Sequence, residues 1–259
     1  MQKGVVLIKL GGSVVTYKER PMTVNKSAID RIMKAISLTK IPIILVHGGG
    51  SFGHYWSTKY EMHSRPDRYS PEGIAVVHES MISLNHLIVK SMLKAKMNPY
   101  SVPPFSIITC NKPLREKIFD LTCMTSDKII PITYGDVVYR PNHRYSILSG
   151  DELMTLISCV VRPKKVVFAV NVDGIYKDPQ SKEMISTIEE KSLIKFSDVN
   201  CDVTGGMKRK VMEAIKISKI GIDVQFVNGM KPERILKVLE NKKTEGTVIK
   251  GKRSSIRNA

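Results

Sequence analysis

Two glycine-rich turns, each behind a β-branched apolar run and each beside a side chain that can carry positive charge, concentrate the chemistry of this chain. Lys9-Leu10-Gly11-Gly12-Ser13 follows Val5-Val6-Leu7-Ile8, and His47-Gly48-Gly49-Gly50-Ser51-Phe52-Gly53-His54 follows Ile43-Ile44-Leu45-Val46. Glycines let backbone N–H groups approach an anion closely, and a strand running through such a turn into a helix aims those donors at one point. One such turn suggests a phosphate cradle. Two within about fifty residues suggest a donor phosphate and an acceptor phosphate side by side, the arrangement phosphoryl transfer needs.

Lys9 is read as the last residue of its strand, so its ammonium reaches the phosphate that Gly11 and Gly12 would cradle. His54 ends the second turn at a helix start, where an imidazole hydrogen-bonds a phosphate or a carboxylate. Further on, Val203-Thr204-Gly205-Gly206-Met207-Lys208-Arg209-Lys210 sets a third glycine pair before a helix, with Lys210 one turn inside it. Lys9 and Lys210 then bring two cations from opposite ends of the chain to one transferring phosphoryl group. Lys18 lies in a polar stretch that reads equally as a plain loop. Asp151 and Glu152, after Ser149-Gly150, and Asp173, in Asn171-Val172-Asp173-Gly174-Ile175-Tyr176, are candidates for magnesium or for holding lysines, or else are helix-cap and turn residues. Gly48-x-Gly50-x-x-Gly53 satisfies the dinucleotide fingerprint, but an earlier strand and glycine turn deny it the required context. No Gly-Lys-Ser/Thr follows either turn, so a kinase reading falls outside the P-loop class.

The elements that must hold these residues are legible as alternation. Val5 to Ile8, Ile43 to Val46, Tyr100 to Val102, Ile129 to Ile132, Val166 to Val170 and Val224 to Val227 read as buried strands, and their continuous apolarity predicts a sheet covered on both faces. Helical stretches over Ser27 to Thr39, Glu72 to Ala95, Asp151 to Val161, Gly206 to Ser218 and Pro232 to Glu240 complete a three-layer α/β sandwich with a mainly parallel sheet. Val137 to Leu148 reads as a hairpin and Asp178 to Glu190 as a polar loop. Val77, Met81, Leu84, Ile88 and Met92 recur at helical spacing as a core stripe, part of which would line an apolar pocket if that helix borders the acceptor.

A chain of 259 residues, 42% hydrophobic, is read as a single domain over residues 1–250 with a basic tail over 251–259. The formal charge of +17, from 41 Lys and Arg against 24 Asp and Glu, favours an anionic partner. Spread-out basic residues and an aromatic content of 6% argue against nucleic acid. Cys110, Cys123, Cys159 and Cys201 have no zinc spacing and read as reduced packing residues of a cytoplasmic protein, and no apolar run approaches a membrane span.

These residues resemble the amino acid kinase superfamily and, within it, the isopentenyl phosphate kinases. The resemblance covers nearly the whole chain. It rests on the two glycine turns, Tyr134-Gly135-Asp136-Val137, Ser149-Gly150-Asp151, Val172-Asp173-Gly174-Ile175-Tyr176 and Asp202-Val203-Thr204-Gly205-Gly206-Met207, with His54 the narrowest signal. It implies an ATP- and magnesium-dependent transfer of the γ-phosphoryl group to isopentenyl phosphate, by a cytoplasmic homodimer acting on small molecules. By the same resemblance Lys9 and Lys210 hold the transferring group, assisted by Asp151, and Lys18 stabilises the transition state. Gly49, His54 and Gly150 bind the acceptor phosphate, and Gly11, Gly12, Ser13, Gly50, Asn171, Asp173, Tyr176 and Gly206 line the ATP site. Two positions depart from the family pattern, which has two aspartates where Asp151-Glu152 stand and an aspartate where Asn171 stands. The first departure leaves open which carboxylate orders the lysines. The rival readings are a kinase for another small phosphate or phosphonate, of the uridylate or fosfomycin type, and a noncatalytic oxyanion- or nucleotide-binding protein on the same fold.

Overall fold

The computed structural model describes residues 4–63, 69–108, 114–140, 144–177, 183–189 and 205–252. Cys110, Cys201, the Asp202-Val203-Thr204 stretch and the tail beyond Lys252 lie outside them. In chain order the elements are β1 (Val6–Leu10), α1 (Gly12–Val15), α2 (Lys26–Ser37), β2 (Ile43–His47), α3 (Gly50–Lys59), α4 (Pro71–Lys94), β3 (Pro99–Ser101), α5 (Pro104–Ile108) and α6 (Leu114–Ser126). There follow β4 (Ile130–Tyr134), β5 (Asp136–Tyr139), β6 (Tyr145–Leu148), α7 (Gly150–Val161), β7 (Lys165–Val170), β8 (Ile175–Tyr176), β9 (Met184–Ile185) and β10 (Thr187–Ile188). The last are α8 (Gly205–Lys219), β11 (Val224–Asn228), α9 (Pro232–Leu239) and β12 (Thr247–Ile249).

The main sheet runs β10-β12-β11-β7-β1-β2-β4-β3, with β12 antiparallel to β11 and the pairings from β11 to β3 parallel. Its central strand β1 is buried along its whole length, and successive side chains enter opposite cores. Leu7 joins the layer of α5, α6, α7 and α8, whereas Val6, Ile8 and Leu10 join that of α1, α2, α4 and α9. This is the three-layer α/β sandwich, and a parallel sheet delivers the C-terminal ends of β1, β2, β4 and β7 to one edge. The expected hairpin forms as β5 and β6, with Asp136 opposite Leu148.

Short elements went unforeseen. Within the expected polar loop over Asp178 to Glu190, Met184–Ile185 pairs with β8 and Thr187–Ile188 pairs with β12, because the apolar side chains of Ile175 and Ile188 are buried there. Helices α5 and α6 and strand β12 also gave no strong periodic signal; in α6 Ile118 and Leu121 reach the core.

The two glycine turns touch through their backbones. A Cβ on Gly12 would lie 2.4 Å from the Gly50 nitrogen, and one on Gly48 would lie 2.9 Å from the Gly12 nitrogen. Gly50 adopts φ +49°, where a side chain is strained in any case, and its Cβ would meet Thr16 Oγ1 at 2.0 Å. Thr16 ties the seam, donating to Gly12 O at 2.8 Å and accepting from Ser51 N at 2.9 Å. Gly12→Ala is therefore expected to lower stability by about 1–3 kcal/mol through overpacking, measured as a lower denaturant midpoint; an unchanged midpoint would mean that the turns part freely.

Candidate active site

At the sheet edge reached by β1, β2 and β7 lies a cavity of about 1010 Å³. Lys9, Gly12, Ser13, Lys18, Gly49, Gly50, His54, Gly150, Asp151, Asn171, Gly206 and Lys210 all line it, so residues spread over two hundred positions of sequence share one space. Gly12 and Ser13 open α1, and Gly50 and Ser51 open α3, where first-turn amides lack intrahelical acceptors and favour an anion. Ser13 also donates to Asn171 Oδ1 at 3.0 Å, tying the first turn to the end of β7.

The floor of the cavity is a buried ionic cluster. Lys9, 2% exposed, places Nζ 2.6 Å from Asp151 Oδ1, while Lys210 Nζ and Arg209 Nε both lie 3.6 Å from Oδ2. Asp151 sits in the first turn of α7, whose N-cap Ser149 accepts from the Glu152 amide at 3.1 Å. Gly150 clears the way: a Cβ there would lie 3.0 Å from both His47 O and Lys9 Cε. Glu152 points elsewhere and pairs with Arg140 at 3.1 Å, so Asp151 is the carboxylate that orders the lysines.

These charges shift one another. Burial raises the Asp151 carboxyl, but Lys9 and Lys210 outweigh it and hold it below the usual carboxylate value. Burial first, and Lys9 second, bring the Lys210 ammonium down to about 8. His54 is lowered by burial, then by Arg209, His63, Lys210 and Lys18, which places the imidazole in a cationic field. Its ring lies 6.1 Å from that of His63. The opposite wall is apolar, formed by Val77 and Met81 of α4 with Ile147 and Leu148 of β6. The lower stripe residues Leu84, Ile88 and Met92 are core only.

Three expected ligand positions are not brought to the cavity wall. Gly11 spends its amide on Ala169 O at 2.8 Å, which extends the pairing of β1 with β7 into the turn. Asp173 receives hydrogen bonds from Asn228, Lys231 and Arg234, so its carboxylate is committed to the start of α9. Tyr176 is paired with Met184 in the small β8–β9 hairpin. Conversely, Arg209, His63 and Asp136 line the cavity without having been singled out as ligands. Asp136, raised to about 6 by burial, accepts from His78 Nδ1 at 2.6 Å and from its neighbour Val137 N at 2.7 Å. Arg209 was visible only as part of a basic triplet, and His63 carried no motif at all.

Residues 4–228 match the amino acid kinase family. The chain is similar to the isopentenyl phosphate kinase of Thermoplasma acidophilum, 33% identical over 237 residues that cover 89% of this chain and 94% of the relative. It is also similar to the isopentenyl phosphate kinase of Methanothermobacter thermautotrophicus, 28% identical over 268 aligned positions covering 96% of this chain and 100% of the relative. Among solved structures, the product complex of the T. acidophilum isopentenyl phosphate kinase superposes with a TM-score of 0.77 at 30% identity, covering 95% of this chain and 100% of the other.

Because Lys210 loses its proton as pH rises through about 8, affinity for ATP is expected to fall through that range. Lys210→Arg keeps its charge and should flatten the profile, with calorimetry at a series of pH values as the measurement. Stability of the unliganded protein moves the other way between about 8 and the ordinary lysine value of 10.5, since there the unfolded chain holds a proton that the folded one has released. Identical ATP profiles for the two proteins would remove Lys210 from the anion site.

Proposed function

The chain belongs to the amino acid kinase family, and from that premise we propose that it transfers the γ-phosphoryl group of ATP to the phosphate of isopentenyl phosphate, giving isopentenyl diphosphate. The observation that carries this reading is one cavity holding both a Lys9–Asp151–Lys210 cluster and, across the glycine seam, His54 beside an apolar wall. A phosphate with a short hydrocarbon tail matches that second end in charge and in polarity. The C-terminal part of the chain supplies the nucleotide end through Asn171, Gly206 and Lys210, and the N-terminal part supplies the acceptor end.

In the transfer, an acceptor oxygen forms its bond to the γ-phosphorus as the bond to the β,γ-bridging oxygen breaks, and the electron pair leaves with ADP. A loose transition state of this kind needs positioning and charge neutralisation more than covalent help. Lys9 and Lys210 neutralise the transferring group, and Asp151 fixes both ammonium groups without touching it. Lys18 adds charge from the cavity rim. His54 holds the acceptor phosphate, and the amides of Gly12, Ser13 and Gly50 complete the cradle.

Magnesium fits this site as part of the nucleotide. Among the described residues no three His, Cys, Asp or Glu side chains converge to hold a metal ion. Asp151 is already ringed by three cations and Asp136 by His78 and a backbone amide. The described residues therefore form no resident metal site, and magnesium would enter with ATP as part of the nucleotide, where it would neutralise phosphate charge.

Exposed apolar side chains on α4, β3, α5 and α6, among them Ile82, Leu93, Tyr100, Phe105 and Phe119, support assembly as a homodimer. The free thiols of Cys123 and Cys159 suit a reducing, cytoplasmic setting, and among the described residues no helix is long and apolar enough to cross a membrane.

A coupled ADP-release assay with isopentenyl phosphate tests the reading, and release with uridylate or fosfomycin in its place would overturn it. In the same assay His54→Ala is expected to lower turnover at least about 10²-fold while ATP binding measured by calorimetry survives. Wild-type turnover in that variant would refute the acceptor assignment.

A further inference from the structure

Lys208-Arg209-Lys210 opens α8 as a run of three cations, and only Lys210 has been given a role above. Neighbours on a helix point about 100° apart, so two of them reach one cavity only if the cavity wraps the first turn of the helix. Arg209 and Lys210 both line it. The Arg209 side chain is 44% exposed with Nε 3.6 Å from Asp151 Oδ2, so a loose contact at one nitrogen leaves the rest of a five-donor fork available. Its charge is also the foremost electrostatic influence on both His54 and His63, after burial itself. Arg209 thus stands between the cluster that holds the transferring group and the imidazoles of the acceptor end.

We propose that Arg209 is a further catalytic residue of the transfer, its guanidinium contacting the transferring phosphoryl group and the acceptor phosphate together. This rests on the kinase reading given above. Two anions must be pressed into contact for the new oxygen–phosphorus bond to form, and their repulsion is a large part of the barrier. A planar fork hydrogen-bonds an oxygen of each phosphate at once, which a lysine ammonium on its flexible stem does poorly. Arg209 donates hydrogen bonds throughout and gives up no proton; the only bonds exchanged are those to the γ-phosphorus.

Arg209→Ala should lower kcat by about 10²- to 10³-fold, the usual loss for one preorganised donor, with the dissociation constant for ATP within about threefold of wild type on the same argument. Millimolar guanidinium should restore part of the loss, and Arg209→Lys should remain well below wild type. A second readout does not depend on turnover: proton NMR titration of His54 and His63 should show both imidazoles titrating at higher pH in Arg209→Ala, because a neighbouring cation is gone. A kcat within threefold of wild type, or a loss confined to the KM for ATP, would overturn the proposal, as would unchanged histidine titrations. If the wild-type protein releases no ADP with isopentenyl phosphate, the kinase reading fails instead, and the titrations still decide whether Arg209 stands at the acceptor end.

Discussion

The contact between the two glycine turns is the constraint on which the rest of the site depends. Gly12 meets Gly50, and Gly48 meets Gly12, at distances that exclude even a methyl group, so the ends of β1 and β2 approach backbone to backbone. The starts of α1 and α3 are thereby set side by side; the Ser51 amide is taken by Thr16, and the amides of Gly12, Ser13 and Gly50 are left to act as donors. Gly150 and Gly135 extend the same logic to the next turn, where a Cβ on Gly135 would fall 2.8 Å from the Gly150 nitrogen. Lys9 lies beneath this seam because the alternation along β1 turns it toward α7, and Asp151 waits in the first turn of that helix.

The ionic cluster under the seam is unbalanced in charge. Three cations face one buried carboxylate, so the positive charges repel one another through a medium of low polarisability. Burial is the first cause of the fall of the Lys210 ammonium to about 8, and repulsion from Lys9 adds to it. In the proposed reaction a triphosphate supplies the balancing negative charge. Its binding is favoured by relief of repulsion as well as by contact, and the cost of holding the cluster together is met by the surrounding packing, including Phe168 below Lys9.

How much of this was legible in the sequence follows from where the information lies. The long buried strands announced themselves because a parallel sheet with both faces covered has no polar position to interrupt the apolar run. The glycine turns and Lys9 were legible because the chemistry needs that residue type at a strand end. Asp151 and Glu152 could not be told apart, since adjacent carboxylates differ only in which way a helix turns them, and the fold sends one to Lys9 and the other to Arg140. The commitment of Asp173 depends on Arg234 and Lys231, about sixty positions away, and no local pattern records that separation. Strands of two and three residues such as β8, β10 and β12 are defined by pairing partners and lack a period of their own.

The division of the cavity by the seam has a consequence for how such a site can change its acceptor. The proposed nucleotide end is built from the paired ends of β1 and β7 and from the start of α8, and alterations there disturb Lys9, Asp151 or Lys210 directly. The proposed acceptor end is built from α3, α4 and the β5–β6 hairpin, which among the described residues forms a two-stranded sheet of its own. Side chains such as Val77 and Ile147 can therefore change in size and polarity while the backbone contact at Gly12 and Gly50 keeps the two reacting phosphates aligned. A single sheet edge then serves different acceptors with one phosphoryl-transfer apparatus, because the alignment resides in glycine backbones and the discrimination in side chains that the alignment does not use.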